Sequence, residues 1–167
     1  MYGSSLTGKI LVENNMSSKM KVLVVDIETS PNLTWAWNNM LWTSPIPHNY
    51  VIEPSRMLTW AAKWVDGKKV YFRHDEQKDF LPTLWELLDK ADAVVHYNGK
   101  KFDRKYINTE FIEAGMVPPT LAHDIDLYPT IRKTFSYPSY KLDYVAGRLL
   151  DENKLKHAGV GLWFAYT

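Results

Sequence analysis

The sequence contains no cysteine, which removes disulfides, thiolate metal sites and cysteine nucleophiles at once. No apolar run approaches the roughly 18 residues that a membrane helix needs, and the first residues lack the basic-then-apolar order of a secretory signal. Net charge is nearly absent as well. The chain carries 20 Lys and Arg against 19 Asp and Glu, so a basic surface for a polyanion has to be local. There is no internal repeat and no low-complexity tract. What remains is a chain of 167 residues, 46% hydrophobic and 14% aromatic, long enough for one domain with its own core. A soluble intracellular protein is the expectation.

Residues 1–19 are polar and rich in Gly, Ser and Asn apart from residues 10–12. They read as a loosely attached N-terminal extension with at most one short edge strand, ahead of a domain spanning 20–167. The chain is organised around residues 21–31, KVLVVDIETSP. Its short continuous apolar run predicts a central strand buried on both faces. Leu33, Trp35 and Trp37 then alternate as in a strand, and a long connection runs to Pro54. Two further strands are predicted over 57–65 and 69–73, joined by the hairpin signal Asp66-Gly67. Trp35, Trp37, Trp42, Trp60 and Trp64 fit ordinary packing on a sheet face better than a base-stacking platform.

Helical spacing of Phe80, Leu81, Leu84, Leu87 and Leu88 predicts a helix over 78–90, with Pro82 confined to its first turn. A buried strand over 91–96 leads through a loop to a helix over 102–114, stopped by Gly115. A strand-like stretch over 120–126 follows. Leu142, Val145, Ala146, Leu149 and Leu150 mark a last helix. Hairpin strands first, then strands alternating with helices, predict an α/β fold with a mixed sheet and helices on its faces.

Chemistry concentrates at two strand ends. In an extended segment, residues two apart share a side, so Asp26 and Glu28 present two carboxylates to one spot. Like charges so held repel unless a cation sits between them, and hard oxygen donors favour Mg²⁺ or Mn²⁺. The second place is HYNGKKFD, where a buried strand hands over to a helix. Asp103 falls in the first helical turn, where a carboxylate is favoured. If this strand neighbours the first, Asp103 faces the Asp26 and Glu28 spot, and three acids can hold two metal ions. Taken singly, Asp26 and Glu28 could simply end a strand, Asp103 could be a cap with Phe102 in the core, and Asn98-Gly99 an ordinary turn. Lys100, Lys101, Arg104 and Lys105 cluster beside Asp103 and suit phosphates, or a solvated loop.

DIETSP, then HYNGKKFD about 70 residues later, then HDIDLYPTIRK and YKLDYVAGRLL, together resemble the DEDD (DnaQ-like) 3′-to-5′ exonuclease superfamily, in a phage and bacterial form. The resemblance covers roughly residues 20–164. Its first motif matches Asp26 and Glu28, and its second matches Asn98, Phe102 and Asp103. It implies a ribonuclease H-like fold, with antiparallel hairpin strands followed by parallel strands and helices on both faces. It also implies hydrolysis at nucleic-acid 3′ ends by two Mg²⁺ or Mn²⁺ ions held by the acids. Thr29 and Phe102 would frame the terminal nucleotide, with Asn98 also binding nucleic acid and Lys100, Lys101 and Arg104 on the phosphates. Implied partners are DNA or RNA 3′ ends and a polymerase or replication protein, with no membrane. The implied location is the cytoplasm of a bacterium or a phage-infected cell.

One departure stands out. The family's third motif, Tyr or His followed by Asp on a final helix, would lie beyond the segment matched by residues 154–163, and no such pair follows residue 150. The domain is therefore expected to lack its C-terminal helix or to draw its fourth carboxylate from elsewhere. Asp126, at the end of the 120–126 stretch, is the best internal substitute as a metal ligand. Asp124, Asp143 and Asp151 read as surface or cap residues, and His123 as structural. Two alternatives stay open: a catalytically impaired nucleic-acid-binding or protein-interaction module that keeps the fold, and an endonuclease or ribonuclease using the same metals.

Overall fold

A computed structural model describes residues 19–36 and 45–152. The expected N-terminal extension, apart from Lys19, and the segment 154–163 lie outside the described residues, as do Trp37 and Trp42. Five strands form the main sheet in the order β5-β4-β1-β6-β7. At its centre is β1 (Val22–Thr29), which pairs antiparallel with β4 (Met57–Trp64) and parallel with β6 (Ala93–His96). β5 (Val70–His74) continues the antiparallel side beyond β4, and β7 (His123–Asp126) continues the parallel side beyond β6. Between β1 and β4 the chain forms β2 (Leu33–Thr34) and β3 (Val51–Glu53), a small separate pair, with a 3₁₀ turn, His48–Tyr50, leading into β3.

The hairpin expected at Asp66-Gly67 joins β4 and β5, with Gly67 N–H bonded to Trp64 O at 2.9 Å. The mixed α/β sheet predicted from the sequence is therefore the sheet observed. Its helices are α1 (Phe80–Asp89), α2 (Asp103–Glu113), α3 (Leu127–Thr134) and α4 (Leu142–Leu149). The sequence reading had no helix over α3.

One face of β1 makes the core. Leu23, Val25 and Ile27 alternate inward and join Trp60, Ala62 and Val94 from neighbouring strands, Leu84 and Leu88 from α1, and Ile107 and Phe111 from α2. Burying a residue such as Leu84 in this way contributes about 2–3 kcal/mol from area alone. Trp60 is fully buried, and its indole N–H donates to Phe80 O at 2.9 Å. Trp35, by contrast, is 68% exposed beyond the short β2. Tryptophans so divided do not form one stacking platform.

The expected burial of β1 on both faces is met on one only, because Val24 on the opposite face is 40% exposed. The reason is that α1 and α2 both pack on the inner face. Outer-face register partners Phe72 and Ile125 are also exposed. Helix α4 stands over the C-terminal end of that outer face, since Leu142 and Ala146 share a cleft with Asp26 and Glu28. Its apolar stripe is only partly covered: Val145 is buried, whereas Leu142, Leu149 and Leu150 are exposed. No helix among the described residues is long and apolar enough to cross a membrane.

Candidate active site

The parallel pairing of β1 with β6 stops at Val24 and Val95, while β1 runs on to Thr29. That leaves the peptide of Ile27 without a strand partner on the β6 side. A buried N–H must find an acceptor, and Asp103 supplies it: Ile27 N–H donates to Asp103 Oδ1 at 3.3 Å, across 76 residues of sequence. Ile27 lies between Asp26 and Glu28, whose side chains point to the opposite face from its own. The structure thus brings Asp103 to the backbone between the two acids that the sequence placed on one side. Both acids are exposed, and both line a cleft of about 690 Å³ together with Lys141, Asp143 and Glu152. The register slips after Glu28, so Thr29 faces Met57 across an irregularity at the end of the strand.

Asp103 is the first residue of α2, as expected, but its side chain does not cap that helix. It is 7% exposed. Burial pushes its carboxyl above the usual carboxylate range; N–H bonds from its own backbone and Ile27 and the nearby His96 pull the other way, and Asp126 adds to the rise. A carboxylate in such a place has its charge penalised until a cation or proton arrives.

Asp126 is buried to the same degree and bonded quite differently. It closes β7 and caps α3, accepting from Tyr128 N at 3.0 Å, Asn98 N at 2.8 Å and Lys100 N at 3.3 Å. It therefore fastens the loop between β6 and α2 to the start of α3. That loop is tight. Asn98 sits in the left-handed region with φ 62°, and a Cβ on Gly99 would come within 2.6 Å of the His96 ring. Gly99 N–H donates to His96 Nδ1 at 3.1 Å, so the ring proton is on Nε2, which is bonded to Asp124 Oδ1. Arg104 Nε approaches the other oxygen of Asp124 at 3.8 Å. Asp124, read from sequence as a surface or cap residue, is instead the hub of a half-buried network, because its β7 position faces β6.

The remaining candidates divide. Lys100 and Lys101 are exposed at the loop. Phe102, expected in the core, is 43% exposed and packs on Tyr106 at 4.9 Å between ring centres. Its place ahead of α2 turns it outward while Ile107 and Phe111 take the core side. Arg104 is drawn back toward Asp124. Asp143 bonds its own neighbour, Tyr144 N, at 2.8 Å.

Among the described residues, no three His, Asp or Glu side chains already stand together as a metal cluster. The donor chemistry of Asp26, Glu28 and Asp103 nevertheless fits a hard divalent cation, being all carboxylate oxygen, with one member buried and its charge penalised. Sequence reading missed α3 and its cations Arg132 and Lys133. The Asp-x-x-Pro pattern of Asp126 and Pro129, a cap followed by a first-turn proline, was the available signal.

Over residues 53–166 the sequence matches the family model RNase_H_2 of the RNase_H superfamily. This is more than half of the chain, and the protein belongs to that superfamily. Among solved structures, the chain is similar to the family B DNA polymerase from the hyperthermophilic archaeon Pyrobaculum calidifontis, with a TM-score of 0.58 and 18% identity. The likeness covers 80% of this chain and 19% of the polymerase chain, so the protein spans about a fifth of that enzyme's length. At this identity the likeness concerns the fold. No curated protein matches the sequence. Family and likeness together bear out the ribonuclease H-like fold expected from the motifs.

Proposed function

We propose that the protein is a metal-dependent 3′-to-5′ exonuclease, with Asp26, Glu28 and Asp103 as its catalytic carboxylates. The observation that carries this reading is the hydrogen bond from Ile27 N–H to Asp103, which ties the third acid to the peptide between the first two. Mg²⁺ or Mn²⁺ bound by these carboxylates, two ions in the full reading, would supply water activation and stabilise the leaving 3′ oxygen.

The chain's own residues do the rest. The paired periodicity of β1 fixes Asp26 and Glu28 on one side, and the rigid first turn of α2 fixes Asp103, which is the pre-organisation such a reaction needs. Exposed Phe102, with Thr29 and Asn98, frames the terminal nucleotide, and Lys100 and Lys101 hold phosphate. Arg104 reaches phosphate only by leaving Asp124. Asp126 serves as a further metal ligand only by giving up backbone hydrogen bonds. The substrate is a DNA or RNA 3′ end, and a polymerase or replication protein is the partner class. The corresponding location is the cytoplasm of a bacterium or a phage-infected cell. The domain is taken as residues 20–167, with 1–19 as an extension.

A second reading is a binding module that keeps the fold without cleaving, and the dispersed acids favour it. One experiment separates them: 5′-labelled single-stranded DNA and RNA are incubated with the protein in Mg²⁺, Mn²⁺ or EDTA, beside an Asp26→Ala, Glu28→Ala double variant. A ladder shortening from the 3′ end, dependent on metal and lost in the variant, is expected. Binding without cleavage by folded wild type would support the module instead. Cleavage of closed circular DNA would indicate an endonuclease.

A further inference from the structure

Three clefts lie in series along the side of the molecule that carries the acids. The first is the acidic cleft of about 690 Å³, the second holds about 520 Å³ and the third about 480 Å³. Lys141 lines the first and second, whereas Asn98, Tyr128 and Arg132 line the second and third. Shared walls make them one groove.

Its chemistry changes along its length. Carboxylates dominate the first cleft, tyrosines the second and cations the third. In the middle, Tyr97 meets Tyr128 edge to face at 5.6 Å, and its hydroxyl donates to Tyr140 O at 2.7 Å. The Arg132 guanidinium lies over both Tyr128 and Tyr140, at 5.8 and 5.5 Å. In the third cleft, Lys100, Lys101, Arg132 and Lys133 gather around one space. None of these four forms an ion pair with a carboxylate among the described residues. The one acid lining that cleft, Asp126, is turned inward to backbone N–H groups. Cations left unneutralised beside aromatic faces suit a chain of phosphates and bases.

We infer that a single-stranded nucleic acid lies along this groove, with its 3′ end at the acidic cleft, bases against Tyr97, Tyr128 and Tyr140, and upstream phosphates held by Arg132 and Lys133 with Lys100 and Lys101. The direction rests on the exonuclease reading above; the groove as a strand-binding surface does not. The track is assembled from the loop after β6, helix α3 and the start of α4.

The test is fluorescence anisotropy with labelled dT₁₂ and U₁₂ in EDTA, so that binding is read without cleavage. Arg132→Gln/Lys133→Gln is compared with wild type and with Lys68→Gln/Lys69→Gln, which removes the same charge at the β4–β5 hairpin on the opposite edge of the sheet. Helix α3 buries no residue, so its variant is expected to keep the wild-type melting temperature. A second pair, Lys100→Gln/Lys101→Gln, decides the matter should α3 be disturbed.

Expected are an affinity loss on the order of tenfold for each groove pair, and a fall of about 1.4 in the slope of log affinity against log salt, for two lost contacts. The hairpin variant should bind as wild type does. Equal loss in the hairpin variant, or none in either groove pair, overturns the groove. Where wild type binds through the groove but never cleaves, the exonuclease reading fails and the strand-binding surface stands.

Discussion

Asp103 and Asp126 sit within one loop of each other, both almost fully buried, at 7% and 9% exposure, yet the protein uses them differently. Asp126 collects three backbone N–H groups from two segments and closes the frame on which the loop rests. Asp103 receives Ile27 N–H at a long 3.3 Å and its own backbone N–H, and burial still pushes its carboxyl above the usual range. A buried carboxylate that the fold satisfies stabilises the fold, and one that it leaves short costs stability and keeps capacity for a ligand. The buried charge of Asp103 thus works against the stability of the fold, and the bonds to Asp126 work for it.

The largest expected effect breaks the Asp103 side. Replacing Asp103 with Ala should lower metal-dependent cleavage by at least about a hundredfold, the usual scale for losing one pre-organised electrostatic group, measured as initial rate on a 5′-labelled strand. On the Asp126 side the loss should be structural. Asp126→Ala removes the acceptor of three N–H groups and should cost about 1–3 kcal/mol in urea unfolding. Gly99→Ala should fall in the same range, because the added methyl meets the His96 ring and overpacking costs about 1–3 kcal/mol.

Asp103→Asn sharpens the contrast. It keeps an acceptor for Ile27 N–H and removes the penalised charge, so in EDTA it should unfold at a higher temperature than wild type. The sign follows from the raised carboxyl. The wild-type protonated form favours the fold fully below the unfolded-state value, and that favour is lost as pH rises through the folded-state value. The gap between variant and wild type should therefore open as pH rises from the acid range and close again on acidification.

Smallest is the exposed pair of Arg73 and Asp79, bonded at 2.8 Å, where the Arg73 guanidinium holds the Asp79 carboxyl below its usual range. Its stabilisation is present above the ordinary aspartate value and lost as pH falls through the lowered one. Arg73→Gln should be close to neutral, since exposed pairs are screened.

Much of this was legible before any coordinates. The period of two in β1 put Asp26 and Glu28 on one side, and the strand-to-helix handover put Asp103 in the first turn of α2. The continuous run Val22 to Val25 misled in one respect, since unbroken apolarity cannot say which face receives helices, and Val24 proved exposed. What the sequence could not hold were the meetings across distance. Ile27 N–H and Asp103 are joined by the early end of β6. Asp124 and His96 face each other only because β7 lies beside β6. The cations of the third cleft come from separate segments that the overall charge balance conceals.

A divalent cation held by Asp103 with Asp26 and Glu28, as proposed, would relieve the charge penalty that burial places on Asp103. Thermal unfolding with and without Mn²⁺, for wild type and Asp103→Asn, tests it most directly. Mn²⁺ at about 100 times its dissociation constant stabilises a binding-competent fold by about 2.7 kcal/mol, or about 5–10 °C for a chain of this size. That shift is expected in wild type and should be lost in Asp103→Asn, with the variant the more stable of the two in EDTA. An equal Mn²⁺ shift in both proteins, or none in wild type, would contradict it.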